Sequence, residues 1–505
     1  MIGKGIVFIC IGLMSFLGDT SFAADKATVT IALAKEIASM TPYRSKNDAE
    51  LPLHQCIFQS LLGPVSETGA WVPWLAETVE LMANSRDIRV TLRKDAMFHT
   101  GDPVTAEDVR FTWKLFTDEK RNPNTYARNF RWVGDIEIID DHNLIIRCSR
   151  PTVDWKRLMQ NWYVGSRKYY EEAGEKNFFS NPVGSGPFRF IGRSPEEKVV
   201  LEAVVGYPLN QPAFNTLIFE MVPDQVTRTI LLETGFVDLI YDISRHDMKR
   251  LQRLGNIKVK TAQVPSFYGI SINTRAHPDL LDRQFRMAMN YAIDRERIVN
   301  RLFPEHGYPL HTFGSRAEVG YDPAIRYTYD PAKARELLKK SNYQTGVPIN
   351  AAYTGRMPNG LHVFEAVQAY AKEVGITFEF RMLEGVMFNT LIRKADPRLM
   401  MGGTVWPGST DPTGRLKLGV LSGSLFTVFA GNKKLDPLIV EQEKIFDKEK
   451  RYLVLNDIYR LMHEDPPYIP LFGLKLIYAM TDRIEYTWVN NSNRLLNLHE
   501  IKVLK

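Results

Sequence analysis

The sequence predicts an α/β protein that is divided into two or three domains. Strand-like runs, in which apolar and polar residues alternate, are interspersed with helix-like runs along the whole chain, and no internal repeat interrupts them. This mixture is typical of α/β architecture. At 505 residues the chain is also too long to fold around one hydrophobic core, because single cores stop growing at about 250–300 residues.

Residues 1–23 have the three zones of a secretory signal. Lys4 precedes the apolar run GIVFICIGLMSFLG, and Ser21-Phe22-Ala23 supplies small residues for cleavage. The apolar run is shorter than the roughly 20 residues of a membrane-spanning helix, so we expect a removed leader and not an anchor. Cys10 has Ile9 before it, where a lipidated cysteine needs a small residue. We therefore expect a mature chain that lies outside the cytoplasm.

The net charge of +6 is small for a chain of this length and is spread along the sequence. It weakly favours anionic ligands and is too small to indicate nucleic-acid binding, so no nucleic-acid partner is expected. Cys56 and Cys148 are the two cysteines that follow the leader. An oxidising compartment would allow a disulfide between them, but two separate buried thiols are an equal alternative.

Residues 71–116 give three structural signals in succession. Ile88, Val90 and Leu92 alternate with polar residues, which predicts a half-buried strand. The turn HTGDPV follows, and Thr105 with Asp108 three residues later matches the capping box that begins a helix. The sequence therefore predicts a strand, a turn and a helix without a gap.

Further along the chain, turn residues and helix caps predict other elements. GDIEIIDDHNLIIRC is typical of a hairpin with DDHN as its turn, and PSFYGISINT is typical of a strand. Asp294 is placed to cap a helix. Asp330 before Pro331 also predicts a helix start, because proline fits the first helical position.

The ordered motifs in the first part of the chain resemble those of the family 5 extracytoplasmic solute-binding proteins, the peptide and nickel receptors of ABC importers. That family has a Pro-x-Leu-Ala-Glu element, a strand that ends in Leu-Arg, a Phe-His-x-Gly turn and a Thr-Ala-Glu-Asp-Val helix start. The matching residues here are, in order, Pro73, Leu75, Ala76 and Glu77; Leu92 and Arg93; Phe98, His99 and Gly101; and residues 105–109. A Pro-Val-Gly-x-Gly-Pro element also matches, at residues 182–187. The resemblance extends from about residue 28 to about residue 475.

The resemblance implies a type II periplasmic binding protein fold of the large three-domain (cluster C) form, with two lobes around a ligand cleft. Residues 1–23 would be the signal peptide. Domain Ia would comprise residues 24–57, 184–268 and 475–505. Domain Ib would comprise residues 58–183, and domain II would comprise residues 269–474.

Arg356 is the first candidate ligand-binding residue. It lies in a loop, TGRMPNG, between a strand-like and a helix-like run, and a loop arginine can bind a carboxylate or a phosphate through two hydrogen bonds. By sequence order it resembles the arginine that holds the peptide carboxylate in dipeptide-binding members of the family. A solvated surface arginine is the alternative.

The second candidate is the segment LMMGGTVWPGSTDPTG, which resembles the family's Gly-Trp-x-Gly element before Asp-Pro. Trp406 could line a pocket, and Gly408 could let the backbone approach a ligand. Ser409 stands where dipeptide receptors have the aspartate that pairs with the ligand amine. Either Asp411 has taken that role or no ammonium group is recognised. Asp411 could also be a turn-forming residue before Pro412.

Four aromatic residues, Tyr126, Trp132, Tyr268 and Tyr353, fall in regions that face the cleft in members of this family, although aromatic side chains at such positions are often part of the core. His99 belongs to the predicted turn, so we do not interpret it as a ligand. The histidines and cysteines have no metal-binding spacing, and we expect no bound metal and no cofactor.

The resemblance implies a monomeric periplasmic receptor that traps a small peptide or a peptide-like anion and delivers it to the membrane subunits of an ABC permease. A receptor for an opine, a sugar phosphate or a chelated metal such as nickel is an alternative, and a structural or chaperone-like envelope protein is another. The chain has no G-x-S-x-G motif, no P-loop and no dinucleotide-binding glycine motif, so we expect no enzymatic activity and no catalytic residues.

Overall fold

The structure is a computed structural model that describes residues 27–45, 50–65, 71–118, 130–194, 198–277, 280, 282–344, 346–406, 408–424, 426, 433–489 and 496–504. The predicted leader and Tyr126 lie outside these residues. The described strands, β1 to β19 in chain order, are Thr28–Leu33, Leu62–Val65, Trp71–Pro73, Ala76–Leu81, Ile88–Leu92, Val133–Ile138, Asn143–Cys148, Phe188–Arg193, Lys198–Ala203, Thr216–Met221, Leu239–Tyr241, Ile257–Ile272, Gly307–Pro309, Ile349–Tyr353, Phe378–Met382, Met401–Trp406, Tyr468–Thr481, Ile484–Glu485 and Lys502–Val503.

Helices alternate with these strands along the described part of the chain, which confirms the α/β class. The α-helices are Leu51–Ile57, Ala106–Thr117, Trp155–Met159, Arg167–Ser180, Gln225–Glu233, Arg245–Leu251, Arg283–Ala292, Arg295–Leu302, Pro331–Lys339, Gly360–Glu373, Gly385–Lys394, Thr413–Gly419, Leu435–Glu441 and Lys448–Glu464. Among the residues described here, no helix has both the length and the apolar character needed to cross a membrane.

Eleven strands form one large sheet. Ten of them lie in the order β15-β14-β16-β12-β17-β11-β1-β10-β9-β8, and β13 pairs separately with β17. A second sheet has four strands in the order β4-β5-β7-β6. The large sheet mixes parallel pairs, such as β1 with β10 and β14 with β15, with antiparallel pairs around β17.

Strands β12 and β17 run antiparallel through the middle of the large sheet, and they are 16 and 14 residues long. Their register is interrupted between Gln263 and Phe267, where Pro265 has no N–H to donate to the ladder. We call β8, β9, β10, β1 and β11, with residues 257–263 and 475–481, the first half of the sheet. We call β13, β14, β15 and β16, with residues 267–272 and 468–474, the second half.

The strand and hairpin predicted in the first third of the chain are confirmed. Ile88, Val90 and Leu92 are all buried in β5. Strands β6 and β7 pair antiparallel as the predicted hairpin. Asp140 closes its turn by accepting hydrogen bonds from the backbone N–H groups of residues 142 and 143 at 2.8 and 2.9 Å. The four-stranded sheet is therefore built from the segments whose alternating pattern predicted it.

The predicted helix starts are also confirmed. The backbone N–H of Thr105 donates to the Asp108 carboxylate at 2.9 Å, as a capping box requires. Asp294 accepts from the N–H of residue 297 at 2.9 Å, and Asp330 accepts from that of residue 333 at 2.8 Å. Pro331 occupies the first turn of its helix. Each of these caps satisfies an N–H group that has no partner within the helix.

His99 fastens the turn after β5 to the Pro-Val-Gly-Ser-Gly-Pro segment. Its Nε2 donates to the carbonyl of Gly186 at 3.0 Å, while its Nδ1 accepts from the N–H of Gly184 at 3.4 Å. Both glycines are required by close backbone contact, since a Cβ on Gly184 would lie 2.0 Å from the carbonyl oxygen of Ile57 and one on Gly186 would lie 2.4 Å from that of Cys56. These residues therefore join three distant segments of the chain.

The apolar cores follow the sheets. One large cluster, with members such as Val29, Val90 and Leu217, packs the first half of the large sheet together with the four-stranded sheet. Separate clusters cover the second half. Cys56 and Cys148 are free buried thiols. The limits of domains Ia, Ib and II remain a prediction.

We expect His99 to make the fold sensitive to acid. Burial lowers the pKa of its imidazole from 6.5 to about 4, so the unfolded chain binds a proton more readily than the folded chain between these values. Stability from this group is present above pH 6.5 and is lost as the pH falls towards 4. In urea titrations, a His99→Gln variant should therefore show a shallower loss of unfolding free energy over this interval, by about 1–3 kcal/mol. An identical pH profile would contradict the assignment.

Candidate functional site

Parallel strands in both halves of the large sheet point their carboxyl ends at the same place. In the second half, β16 ends at Trp406, which pairs with Phe267 beside the register shift, and β14 and β15 run parallel to β16. In the first half, Tyr241 at the end of β11 pairs with Tyr478, which in turn pairs with Lys260 on the approach to the same shift. We call the residues that follow β1, β11, β14, β15 and β16 the facing edges. Ligands of open α/β sheets bind at such carboxyl ends.

Arg356 belongs to the facing edge of the second half. It follows β14 in the loop before the helix Gly360–Glu373, and its backbone N–H is held by the Thr354 hydroxyl at 3.3 Å. The Arg356 side chain is exposed. Within the described residues its guanidinium has no hydrogen bond and no ion pair, so its five donors are available to an anion.

The loop after β16 is shaped by contacts within the chain. The Trp406 ring is half-buried and packs edge-to-face on Phe313 with ring centroids 5.3 Å apart. A Cβ on Gly408 would lie 1.9 Å from the carbonyl oxygen of Pro265. The absence of a side chain at Gly408 thus permits a close contact with the protein's own backbone at the register shift. The Ser409 hydroxyl accepts from the N–H of Asp411 at 3.2 Å.

Asp411 is held in a network of hydrogen bonds. Its two carboxylate oxygens accept from the Arg451 guanidinium at 2.7 and 2.9 Å, and the N–H of Thr413 donates to it at 2.9 Å. These hydrogen bonds outweigh the cost of burial and lower the pKa of the carboxyl group. The geometry therefore favours a structural role for Asp411 before the helix Thr413–Gly419.

Tyr268 lies on β12 directly after the register shift. Its ring stacks on Phe472 with centroids 5.0 Å apart and planes inclined by 19°. Burial raises the pKa of its hydroxyl, and the carboxylate of Asp242 raises it further. Tyr268 belongs to the second half of the sheet, and Asp242 follows β11 of the first half.

Two other predicted aromatic residues lie in apolar cores. Trp132 is 1% exposed, and its ring packs edge-to-face on Trp162. Tyr353 is 7% exposed and packs on Phe364 at 5.1 Å. Other side chains therefore cover both rings. The prediction for Tyr126 falls outside the described residues.

Sequence reasoning missed Asp242. It follows β11 directly, and its backbone lies in the left-handed region with φ of 57°, a conformation that few residues other than glycine, asparagine and aspartate adopt readily. Its side chain is exposed to solvent. The signal was the position of an acid after a short apolar strand, FVDLIYD, but its importance depends on which edge that strand end reaches.

A polar contact joins the end of the four-stranded sheet to the segment that follows the helix Leu435–Glu441. Arg150 follows β7 and donates to Glu443 at 2.6 Å, and Lys417 lies 2.8 Å from the other oxygen of the same carboxylate. Phe446, three residues after Glu443, packs against the large cluster of the first half. The segment 443–446 therefore contacts both the chain after β7 and the large cluster, away from β12 and β17.

In the part of the chain that the structure describes, no group of three or more His, Cys, Asp or Glu side chains is arranged to hold a metal ion. Among the charged groups of the facing edges, Arg356 and Asp242 are exposed and can form hydrogen bonds with an organic ligand.

Comparison with known proteins shows extensive similarity. Residues 70–423 match the family described as bacterial extracellular solute-binding proteins, family 5 middle domain. The glutathione-binding protein of Pectobacterium atrosepticum is 23% identical over 90% of this chain and 90% of its own length. That relative is a binding protein, and its name states no enzymatic activity.

Two solved structures are similar over nearly their full lengths. The ABC transporter substrate-binding protein CtaP of Listeria monocytogenes superimposes with a TM-score of 0.86 at 21% identity, covering 95% of this chain and 99% of CtaP. NikZ of Campylobacter jejuni, solved in complex with Ni(L-His), superimposes with a TM-score of 0.78 at 20% identity, covering 94% and 99%. The fold class expected from the sequence, the large type II periplasmic binding protein, is confirmed.

We expect Asp411→Ala to destabilise the protein even without ligand, because it leaves the largely buried Arg451 charge without its carboxylate partner. Removing one member of such a pair typically costs about 3–5 kcal/mol. Urea unfolding measures this loss directly. Ser409→Ala, which removes one weaker contact in the same loop, is the matched control and should lose about 1 kcal/mol or less. An Asp411→Ala variant with unchanged stability and weaker ligand binding would indicate a ligand-binding role.

Proposed function

This chain belongs to the family 5 bacterial extracellular solute-binding proteins, and we propose that it captures a small peptide or a peptide-like anion for an ABC importer. In this proposal the protein is exported to the periplasm by residues 1–23. It acts as a monomer, has no enzymatic activity and delivers its ligand to the transmembrane subunits of a permease.

The observation that carries the proposal is the position of Arg356. Its exposed guanidinium stands at the carboxyl end of β14, on the edge that faces the first half of the sheet. A ligand carboxylate placed there would accept two parallel hydrogen bonds, which is the geometry that arginine provides. The relative that binds glutathione, an anionic peptide-like molecule, supports this choice of ligand class.

Capture would occur by closure of the two halves about β12 and β17. These two strands are the long shared elements of the sheet, and their register shift between Gln263 and Phe267 separates the halves. A few residues at such a point can absorb a change of backbone angle while the rigid halves move. The ion pair between Arg150 and Glu443 joins the predicted domains Ib and II in the present conformation and would open with the cleft.

A chelated metal is the second candidate ligand, because NikZ was solved with Ni(L-His). Such a ligand would also present a carboxylate to Arg356. Direct metal coordination by the described residues is not needed, since the chelator supplies the ligand atoms. Only the response to metal distinguishes this alternative from a peptide.

We expect Arg356→Ala to weaken the binding of anionic peptides by roughly 10- to 100-fold, which is the usual effect of losing a charged hydrogen-bonding partner. Isothermal titration calorimetry with di- to pentapeptides of alanine, glutathione and Ni(L-His) measures the affinity and identifies the ligand class. Arg297→Ala removes an exposed arginine on the helix Arg295–Leu302, outside the facing edges, and is the matched control. Equal affinities in both variants would contradict a carboxylate contact at Arg356.

We expect Glu443→Gln to favour the open form slightly, because the ion pair with Arg150 is partly exposed and such pairs contribute about 0.2–1 kcal/mol. Ligand affinity should fall by up to about fivefold, and small-angle X-ray scattering without ligand should show a larger radius of gyration. Glu441→Gln is the control, since among the described residues Glu441 pairs with the nearby Lys444 alone. A Glu443→Gln variant with the scattering curve of the wild type would show that this pair does not influence closure.

A further inference from the structure

Asp242 lies between β11 and the helix Arg245–Leu251. Tyr241 before it ends β11 and packs against Trp488 with ring centroids 5.6 Å apart. Ser244, two residues after it, caps the helix Arg245–Leu251 by accepting from the N–H of Asp247 at 3.1 Å. The backbone of Asp242 is therefore fixed on both sides, and its side chain has a defined direction at the facing edge.

The conformation at Asp242 carries a cost that a glycine would avoid. A residue with a side chain is less stable at φ of 57° than in the right-handed conformation, although the difference is smaller for aspartate and asparagine. Strained positions of this kind concentrate at functional sites. Because this position holds an aspartate and not a glycine, the Asp242 carboxylate is a candidate for a functional role.

The Asp242 carboxylate is incompletely compensated by its neighbours. Among the described residues it accepts no hydrogen bond and has no cation within 4 Å. Arg228 and Lys35 are the cations that influence it, but the Arg228 guanidinium donates instead to the carbonyls of Val222 and Pro223 at 2.8 and 2.9 Å. The cost of desolvation exceeds their attraction and raises the pKa of Asp242.

Asp242 also lies on the facing edge of the first half. It directly follows β11, whose carboxyl end is directed at the register shift. Asp411, the other candidate partner for an amine, is occupied by Arg451. A positively charged group of the ligand would therefore find an unpaired carboxylate at Asp242 and not at Asp411.

We propose that Asp242 binds the ammonium group of the ligand from the first half of the sheet, while Arg356 binds its carboxylate from the second half. This inference rests on the proposed function and adds a determinant of specificity: the receptor selects zwitterionic peptides. The aspartate missing at position 409 is replaced by one from the opposite edge of the cleft.

The test compares free and N-acetylated alanine peptides, from dipeptide to pentapeptide, by calorimetry on the full mature chain. In the wild type, acetylation should weaken binding by roughly tenfold or more, the usual effect of leaving one member of a charge pair unpaired. Asp242→Asn keeps a side chain that tolerates the left-handed backbone but removes the charge. It should weaken binding of the free peptides to the level of the acetylated ones and leave the acetylated ones unchanged, an effect that a general loss of structure would not produce.

Asp457→Asn removes the same charge from an exposed position on the helix Lys448–Glu464 and should preserve discrimination. Asp242→Gly, which relieves the backbone strain, should be at least as stable as the wild type in urea unfolding and should also lose discrimination. Peptide binding that is indifferent to acetylation, or discrimination that survives in Asp242→Asn, would overturn the role of Asp242 and leave the peptide-binding function intact. Failure of every peptide to bind the wild type would overturn both.

Discussion

The pairing of β12 with β17 is the constraint on which the rest of the structure depends. Both strands pass through the two halves of the large sheet, so the halves share one hydrogen-bonded ladder. It is interrupted around Pro265, between Gln263 and Phe267, and its register shifts again between Tyr268 and Gly269. Every parallel strand beside this ladder must then run either towards the interruption or away from it. Because β11 and β1 approach it from one side and β14, β15 and β16 from the other, their carboxyl ends face one another.

The motifs that are easiest to recognise in the sequence make contacts that hold this architecture together. His99 fastens the turn after β5 to the backbone of Gly184 and Gly186, and Gly408 makes room for the carbonyl of Pro265. In each case a backbone approaches another backbone more closely than a Cβ allows. Few other residues satisfy such contacts, so these positions carry a distinctive pattern.

The local elements could be predicted because their causes are local. Alternation fixed the buried face of β5, and the caps at Asp294 and Asp330 lie within three residues of the N–H groups they accept from. The site was harder to predict, since Asp411 is paired with an arginine 40 residues away and Trp132 is covered by a residue 30 positions later. Asp242 had no local signal of its importance, because only the order of strands in the sheet brings it to the facing edge.

Opposite charges on the two facing edges would couple recognition to closure. A ligand shifts a conformational equilibrium only by its difference in affinity for the two states. A molecule with one charge could bind Arg356 alone or Asp242 alone with equal strength in the open and closed forms. A zwitterion gains its second ion pair only when the halves approach, so its affinity for the closed form is greater. A ligand with a single charge would therefore bind weakly for two reasons. It lacks one ion pair, and it does not stabilise the closed state.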